Sequence, residues 1–266
     1  MIAVTGAAGN VGRPLVQTLT QAGEEVTALS RRPSDTHRQA DLTDPDSLET
    51  AFEGADALFL LCLGDNPRAI LDAAKARGVG LVVLLSSIGA RTRPDAYPQP
   101  RAFENAVRQS GLDWTILRPG GFYTNTFGWA DTIRAHHTAP APFGDIRIPT
   151  LDPADIAAVA ATVLREPGHT GRTYELTGPA PISPREQAHT IGDALGTPVR
   201  FVEQTRDQAR ADMLRFMPEP VADATLAVLG DPTADEQRVS PDIEHLLGRP
   251  PRTFAQWATQ NTAAFS

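Results

Sequence analysis

The chain has 266 residues, 41% of them hydrophobic, and a formal net charge of −8. That length suffices for one large domain or a core with a small appended lobe, and the acidic balance excludes general affinity for nucleic acid or anionic membrane, which need clustered Lys and Arg. The longest apolar stretches, Ala57 to Leu63 and Leu81 to Leu85, are far too short to span a bilayer, and Cys62, the single cysteine, allows no internal disulfide, so a reducing cytoplasm is the expected setting.

Ile2 to Thr5 reads as a short buried strand, and a strand beginning at residue 2 is expected to leave no room for a cleaved leader. Gly6, Gly9 and Gly12 then form a Gly-x-x-Gly-x-x-Gly turn, and Val11 to Thr20 reads as the helix that follows. Glycines let the backbone turn tightly and let a diphosphate approach, and the helix N-terminus presents unpaired N–H groups and a partial positive charge. Between a strand and a helix this pattern predicts a dinucleotide site; the alternative is a glycine-rich turn with no ligand.

Glu25 to Ser30 reads as the second strand. Where an NAD-preferring fold carries an acidic residue for the ribose 2′-hydroxyl, this chain has Ser30 followed by Arg31 and Arg32. Permanently charged, planar guanidinium groups suit a 2′-phosphate, which points to NADPH; the alternative is two solvated surface charges. Asp41 and Leu42 are expected to end a short third strand, with Asp41 meeting the adenine amino group or serving only as a turn residue. Thr43 or Asp44 is expected to cap a helix from Pro45 to Phe52.

Ala57 to Leu63 is the continuous apolar run of a parallel strand buried on both faces, and Asn66 to Arg77 is a helix with Ile70, Leu71 and Ala74 inward. Leu81 to Leu85 is the fifth strand and ends in Ser86-Ser87-Ile88-Gly89. Strands and helices alternating at these intervals predict a doubly wound parallel sheet of the Rossmann type, an α/β fold, with ligands outside the carboxyl ends of the strands. Arg101 to Ser110 is a further helix, Trp114 to Leu117 a sixth strand, and Pro119, Gly120 and Gly121 break it at the same edge.

Phe127 to Thr138 reads as a helix, Ala139 to Phe143 as a proline-rich turn, Asp155 to Arg165 as an apolar helix capped by Asp152, and Thr173 to Leu176 as a core strand. From Pro179 the pattern changes: a helix at Pro184 to Leu195, a strand at Val199 to Glu203, and helices around Gln208 to Arg215 and Pro220 to Leu229. The expected division is therefore a cofactor-binding domain over 1–178 and a smaller substrate-covering α/β lobe over 179–266. Met213, Leu214, Phe216 and Met217 line a substrate pocket or form the lobe's core. Gly248 to Trp257 is expected to supply a turn and a terminal helix. The six histidines are scattered without metal-ligand spacing, so no metal site is expected.

Taken together these segments resemble the atypical short-chain dehydrogenase/reductases, specifically their NmrA-like group of NAD(P)-binding proteins. The matching stretches are Thr5 to Gly12, Ser30 to Pro33, Asp41-Leu42, the Ser86-Ser87 strand end, Gly111 to Pro119, Asp152 to Ala157 and Thr173 to Gly178. Pattern and resemblance assign the cofactor to Gly6, Gly9, Asn10, Val11, Gly12, Arg31, Arg32, Asp41, Leu42, Leu61, Ser86, Pro119 and Gly120. The resemblance implies an NADPH-dependent oxidoreductase acting on a small-molecule quinone or aromatic, polyketide-like ketone; the alternative is a non-catalytic NADP-binding redox sensor acting through a protein partner.

One departure bears on chemistry. Catalytic members of the wider superfamily use a Tyr-x-x-x-Lys pair as proton donor, and here the only candidate is Tyr97-Pro-Gln-Pro-Arg101, with arginine in place of lysine. Pro98 and Pro100 are expected to oppose the helical turn that would align the two side chains, which makes Tyr97 a loop residue. Ser87 and Tyr123 are the catalytic candidates instead: Ser87 polarises the substrate carbonyl or is a turn residue bonding only backbone, and Tyr123 reaches the same pocket from the Gly120-Gly121 loop.

Overall fold

A computed structural model describes residues 1–32, 34 and 36–266, apart from the side chains of Pro45, Asp46 and Glu49. Pro33, the last residue of the Ser30-to-Pro33 resemblance, lies outside the described residues. In chain order the elements are β1 (Ile2–Val4), α1 (Gly12–Gln21), β2 (Val26–Ser30), β3 (Arg38–Gln39), α2 (Pro45–Ala51), β4 (Ala57–Leu61), α3 (Pro67–Ala76), β5 (Leu81–Leu85), α4 (Gly89–Thr92), α5 (Pro98–Gln109) and β6 (Asp113–Pro119). A 3₁₀ segment, Tyr123–Trp129, leads into α6 (Ala130–His136), β7 (Thr138–Ala141), α7 (Pro153–Arg165), β8 (Arg172–Leu176), α8 (Pro184–Leu195) and β9 (Arg200–Glu203). Then come α9 (Arg206–Met213), α10 (Glu219–Gly230), α11 (Ala234–Gln237), α12 (Asp242–Leu247) and α13 (Phe254–Gln260).

Two compact units are interleaved along the chain. The first comprises Met1–Pro119, Pro153–Leu176 and Asp242–Gly248; the second comprises Gly120–Asp152, Thr177–Pro241 and Arg249–Ser266. This differs from the expected consecutive segments 1–178 and 179–266.

The first unit is built on a seven-stranded sheet of order β3-β2-β1-β4-β5-β6-β8, with every pairing parallel. The order reverses between β1 and β4, which makes a crevice at the carboxyl ends of those strands. β4 is almost wholly buried, as a parallel strand covered by helices on both faces must be. Its core joins Leu29, Leu48, Phe52, Leu58, Leu60, Ile70, Val82, Leu84, Phe103 and Ile116 from strands and from α2, α3 and α5. α7 packs against α1, and α3 against both α2 and α5. Asn66 starts α3 by accepting the Ala69 N–H at 3.1 Å.

α5 begins at Pro98, three residues earlier than the sequence pattern places it. Pro98 and Pro100 do not oppose this turn as expected. The first N–H groups of a helix lack intrahelical partners anyway, so a first-turn proline forfeits little and its fixed φ favours helix. Tyr97 is the residue just outside, at φ −122°, with its ring against Gly89: a Cβ there would come within 2.6 Å of Tyr97 Cδ2.

In the second unit the expected proline-rich turn at Ala139 to Phe143 is largely strand. β7 pairs in parallel with β9, Pro140 opposite Val202, and a two-stranded sheet has only edge strands, where proline is tolerated. The expected helix from Phe127 begins as the 3₁₀ turn and becomes α-helical only at Ala130. The core collects Tyr123, Ile133, Ala139, Ala188, Ile191, Val199, Phe254, Trp257 and Phe265. These residues come from far-separated stretches, which is why this unit draws in 120–152 and 249–266. Among the described residues no helix is long and apolar enough to cross a membrane.

Candidate cofactor and substrate site

The turn after β1 is held from three sides. Thr5 Oγ1 donates to the Phe59 carbonyl at 2.9 Å and accepts the Leu61 N–H at 3.0 Å, tying β1 to β4. Ala7 N–H donates to Leu29 O at 3.0 Å and Gly9 N–H to Gly6 O at 2.8 Å. Gly6 stands at φ +63°, and a Cβ on it would lie 2.3 Å from Leu61 Cδ1. At Gly12 a Cβ would lie 2.2 Å from Gly6 O, so this residue must be glycine for α1 to sit against the turn. Gly9 and Asn10 are exposed, and Val11 is buried at the N-cap of α1, where it gives no side-chain cap. No acidic residue occupies the first turn, so the positive end of α1 is left for an outside anion. These features fit the diphosphate of a dinucleotide.

Arg31 and Arg32 follow β2, both exposed, and neither has an ion-pair partner among the described residues. The Ser30 hydroxyl donates to the Arg32 carbonyl and closes the turn. Asp41 lies beyond the end of β3. Its Oδ1 accepts from the Thr43 N–H at 2.9 Å and the Thr43 hydroxyl at 2.8 Å. Those bonds, with the Arg31 charge as a smaller contribution, hold its carboxyl below the usual range. Leu42 is buried in the core, and Leu61 lies half-buried beneath Gly6.

Ser86 differs from expectation. It is 8% exposed, and its hydroxyl donates to Glu104 Oε1 at 2.7 Å, so that hydroxyl is committed within the core. Ser87, the next residue, is half-buried; its Oγ accepts the Gly89 N–H at 3.1 Å, and no described residue accepts its hydrogen. Ile88 N–H donates to Pro119 O at 3.0 Å, so the ends of β5 and β6 stay joined at this edge. Pro119 is buried, and Gly120 follows directly as the first residue of the second unit.

Tyr123 also differs. It is 1% exposed, its ring lies edge-on to Phe254 at 5.0 Å, and its hydroxyl donates to the Arg252 carbonyl at 3.2 Å. It is a core residue of the second unit, because burying so large a ring among Phe254 and Trp257 is its most favourable placement.

Sequence reasoning passed over a heavily bonded buried charge of the first unit. Glu104 is 2% exposed and accepts from Arg118 Nε at 2.8 Å, Arg118 Nη2 at 2.6 Å, Arg108 Nη2 at 3.0 Å and Ser86 Oγ. Burial alone would raise its carboxyl; the Arg118 and Ser86 hydrogen bonds and the Arg118 charge outweigh this and lower it. The signal was legible: an acid flanked by Phe103 and Val107 on the buried side of α5, and an arginine closing an apolar strand. Gly64 was missed too; at φ +90° a Cβ on it would lie 2.5 Å from Leu42 O. Burial, then the Glu104 charge, pushes the Cys62 thiol up to about 12, and the thiol donates to Leu85 O at 3.3 Å, so it is no nucleophile. A depression of about 290 Å³ lies at this carboxyl side, lined by Gly64, Asp65, Pro67, Pro98, Gln99 and Phe103 among others.

Residues 6–167 match the profile of a family described as NAD(P)H-binding. The chain belongs to this family. Along its whole length it is 38% identical to a (4-alkanoyl-5-oxo-2,5-dihydrofuran-3-yl)methyl phosphate reductase of Streptomyces griseus, covering 99% of that protein. It is 33% identical to an NAD(P)H azoreductase of Xenophilus azovorans, covering 100% of this chain and 99% of that one. An NADPH-dependent quinone oxidoreductase of Escherichia coli, solved with NADPH, superposes with a TM-score of 0.80 at 27% identity, covering 98% of this chain and 99% of that one. The chain is thus an NAD(P)H-binding reductase of the atypical short-chain dehydrogenase/reductase type, with a Rossmann-like fold.

Proposed function

We propose that the chain is an NADPH-dependent reductase of a quinone or of an aromatic, polyketide-like ketone, working without a Tyr/Lys pair. The observation that carries this reading is Ser87: a hydroxyl at the carboxyl end of β5 whose oxygen is oriented by the Gly89 N–H and whose hydrogen is left for an outside acceptor. NADPH, when bound, supplies a hydride. The exposed turn at Gly9 and Asn10, with the uncapped start of α1, holds the diphosphate, and Arg31 and Arg32 hold the 2′-phosphate. Ser87 donates to the substrate carbonyl oxygen and stabilises the charge that develops there.

Reduction of a quinone to its hydroquinone takes one hydride and one proton, and water delivers the proton. No tyrosine is needed for that balance. The relatives that act on a quinone, an azo compound or a furanone all reduce conjugated acceptors, which supports this substrate class. The test is NADPH consumption against a panel of quinones and polycyclic ketones, on the parent protein and on Ser87→Ala. The parent is expected to be active, and Ser87→Ala to lose about ten- to a hundredfold in kcat with NADPH affinity retained. Tight NADPH binding without consumption by any panel member would return the chain to the sensor class.

A further inference from the structure

Successive side chains of a strand point to opposite sides, and the pleat continues past β5: the Ser86 N–H still donates to Leu117 O at 2.8 Å. Ser86 therefore turns inward to α5 when Ser87 turns the other way. The inward hydroxyl meets Glu104, which in turn grips Arg118 of β6 through two hydrogen bonds. A carboxylate thus ties together the ends of two strands and the helix between them, directly beneath Ser87 and the Ile88–Pro119 bond. A buried ion pair is a poor means of adding stability, since an apolar pair of similar volume does as well. What it adds is a fixed, directional geometry.

We propose that Ser86, held by the Glu104–Arg118 pair, is a positioning residue for the reduction, setting where the Ser87 hydroxyl stands. This rests on the proposed role of Ser87. Ser86 itself is buried, its hydroxyl donating to Glu104. Ser86→Ala removes one hydroxyl and leaves Glu104 paired with both arginines, so the fold and the diphosphate turn keep their charges balanced.

The experiment compares the parent, Ser86→Ala and Ser86→Thr in NADPH-dependent quinone reduction, with the NADPH dissociation constant and the melting temperature measured on each. A small displacement of a reacting group lowers rate by up to about a hundredfold. Ser86→Ala is expected to lose about tenfold or more in kcat, with the quinone KM, the NADPH dissociation constant and the melting temperature close to those of the parent. Ser86→Thr, which keeps a hydroxyl, is expected to regain most of the loss. Parent-like kcat in Ser86→Ala, with an active parent, overturns this proposal alone. So does a fall in kcat that only follows lost cofactor affinity or a lowered melting temperature. A parent inactive toward every quinone overturns the underlying functional reading as well.

Discussion

At the scale of single residues, the proposed preference for NADPH rests on Arg31 and Arg32. Both side chains are exposed beyond β2, and among the described residues neither forms an ion pair, although the Arg31 charge is felt by Asp41. On the proposed reading a 2′-phosphate gains a charge-assisted hydrogen bond from each, whereas the 2′-hydroxyl of NADH gains little from a guanidinium. The parent is expected to bind NADPH well ahead of NADH. Arg31→Ala with Arg32→Ala is expected to remove most of that margin, about tenfold or more for each guanidinium removed, as read from the two dissociation constants. Equal constants in the parent would mean that the arginines only solvate the surface. Tyr123 makes the opposite point: a tyrosine beside a Gly-Gly loop is a reasonable catalytic candidate until its ring is found packed on Phe254 and Trp257.

At the scale of an element, the β1–α1 turn separates two kinds of glycine that look alike in the sequence. Gly12 faces backbone: a Cβ there would have Gly6 O, Gly6 C and Ala7 Cα all within 2.9 Å, and none of these can swing away. Gly9 is exposed, and a Cβ on it would meet only Gly6 O, at 3.2 Å. Gly12→Ala is therefore expected to destabilise the protein by about 1–3 kcal/mol and to weaken NADPH binding together with it. Gly9→Val is expected to leave the melting temperature near that of the parent and still abolish NADPH binding, because its side chain would stand where the proposed site takes the diphosphate. Chemical denaturation and cofactor titration of the two variants separate these effects. A Gly9→Val protein that binds NADPH normally would put the diphosphate elsewhere.

For the whole molecule, the buried charge of Glu104 sets part of the response to acid. Its carboxyl titrates below the ordinary glutamate value of about 4.3, so its contribution is fully present above that pH and is lost as pH falls through the lower, folded value. Glu104→Gln leaves the half-buried Arg118 without its counter-charge, and is expected to lose about 3 kcal/mol near neutrality. The gap in stability between parent and variant is expected to stay constant from pH 7 to about pH 5 and to narrow below about pH 4. Melting curves across that range check it; a gap independent of pH down to acid unfolding would mean that the Glu104 charge contributes nothing.

Most strands and helices of the first unit, though not α4 or α12, and the glycine turn were legible because each rests on local chemistry. An apolar run between turns, a proline at a helix start and glycines between strand and helix act over a few residues. The parallel, doubly wound character of the sheet followed as well, since alternating strands and helices imply right-handed crossovers. Contacts between distant segments were not legible. β7 needs β9, some sixty positions on, before Thr138 to Ala141 becomes strand rather than turn. Tyr123 needs Phe254 and Trp257 before its ring is core, and 120–152 joins the second unit only because its partners lie there. Ser86 and Ser87 are identical in sequence, and which of them faces a buried carboxylate was decided by the pleat of β5 against α5. Local composition determined most of the elements and the glycine turn, whereas β7 and the side-chain fates were decided by what the folded chain brought within hydrogen-bonding and packing distance.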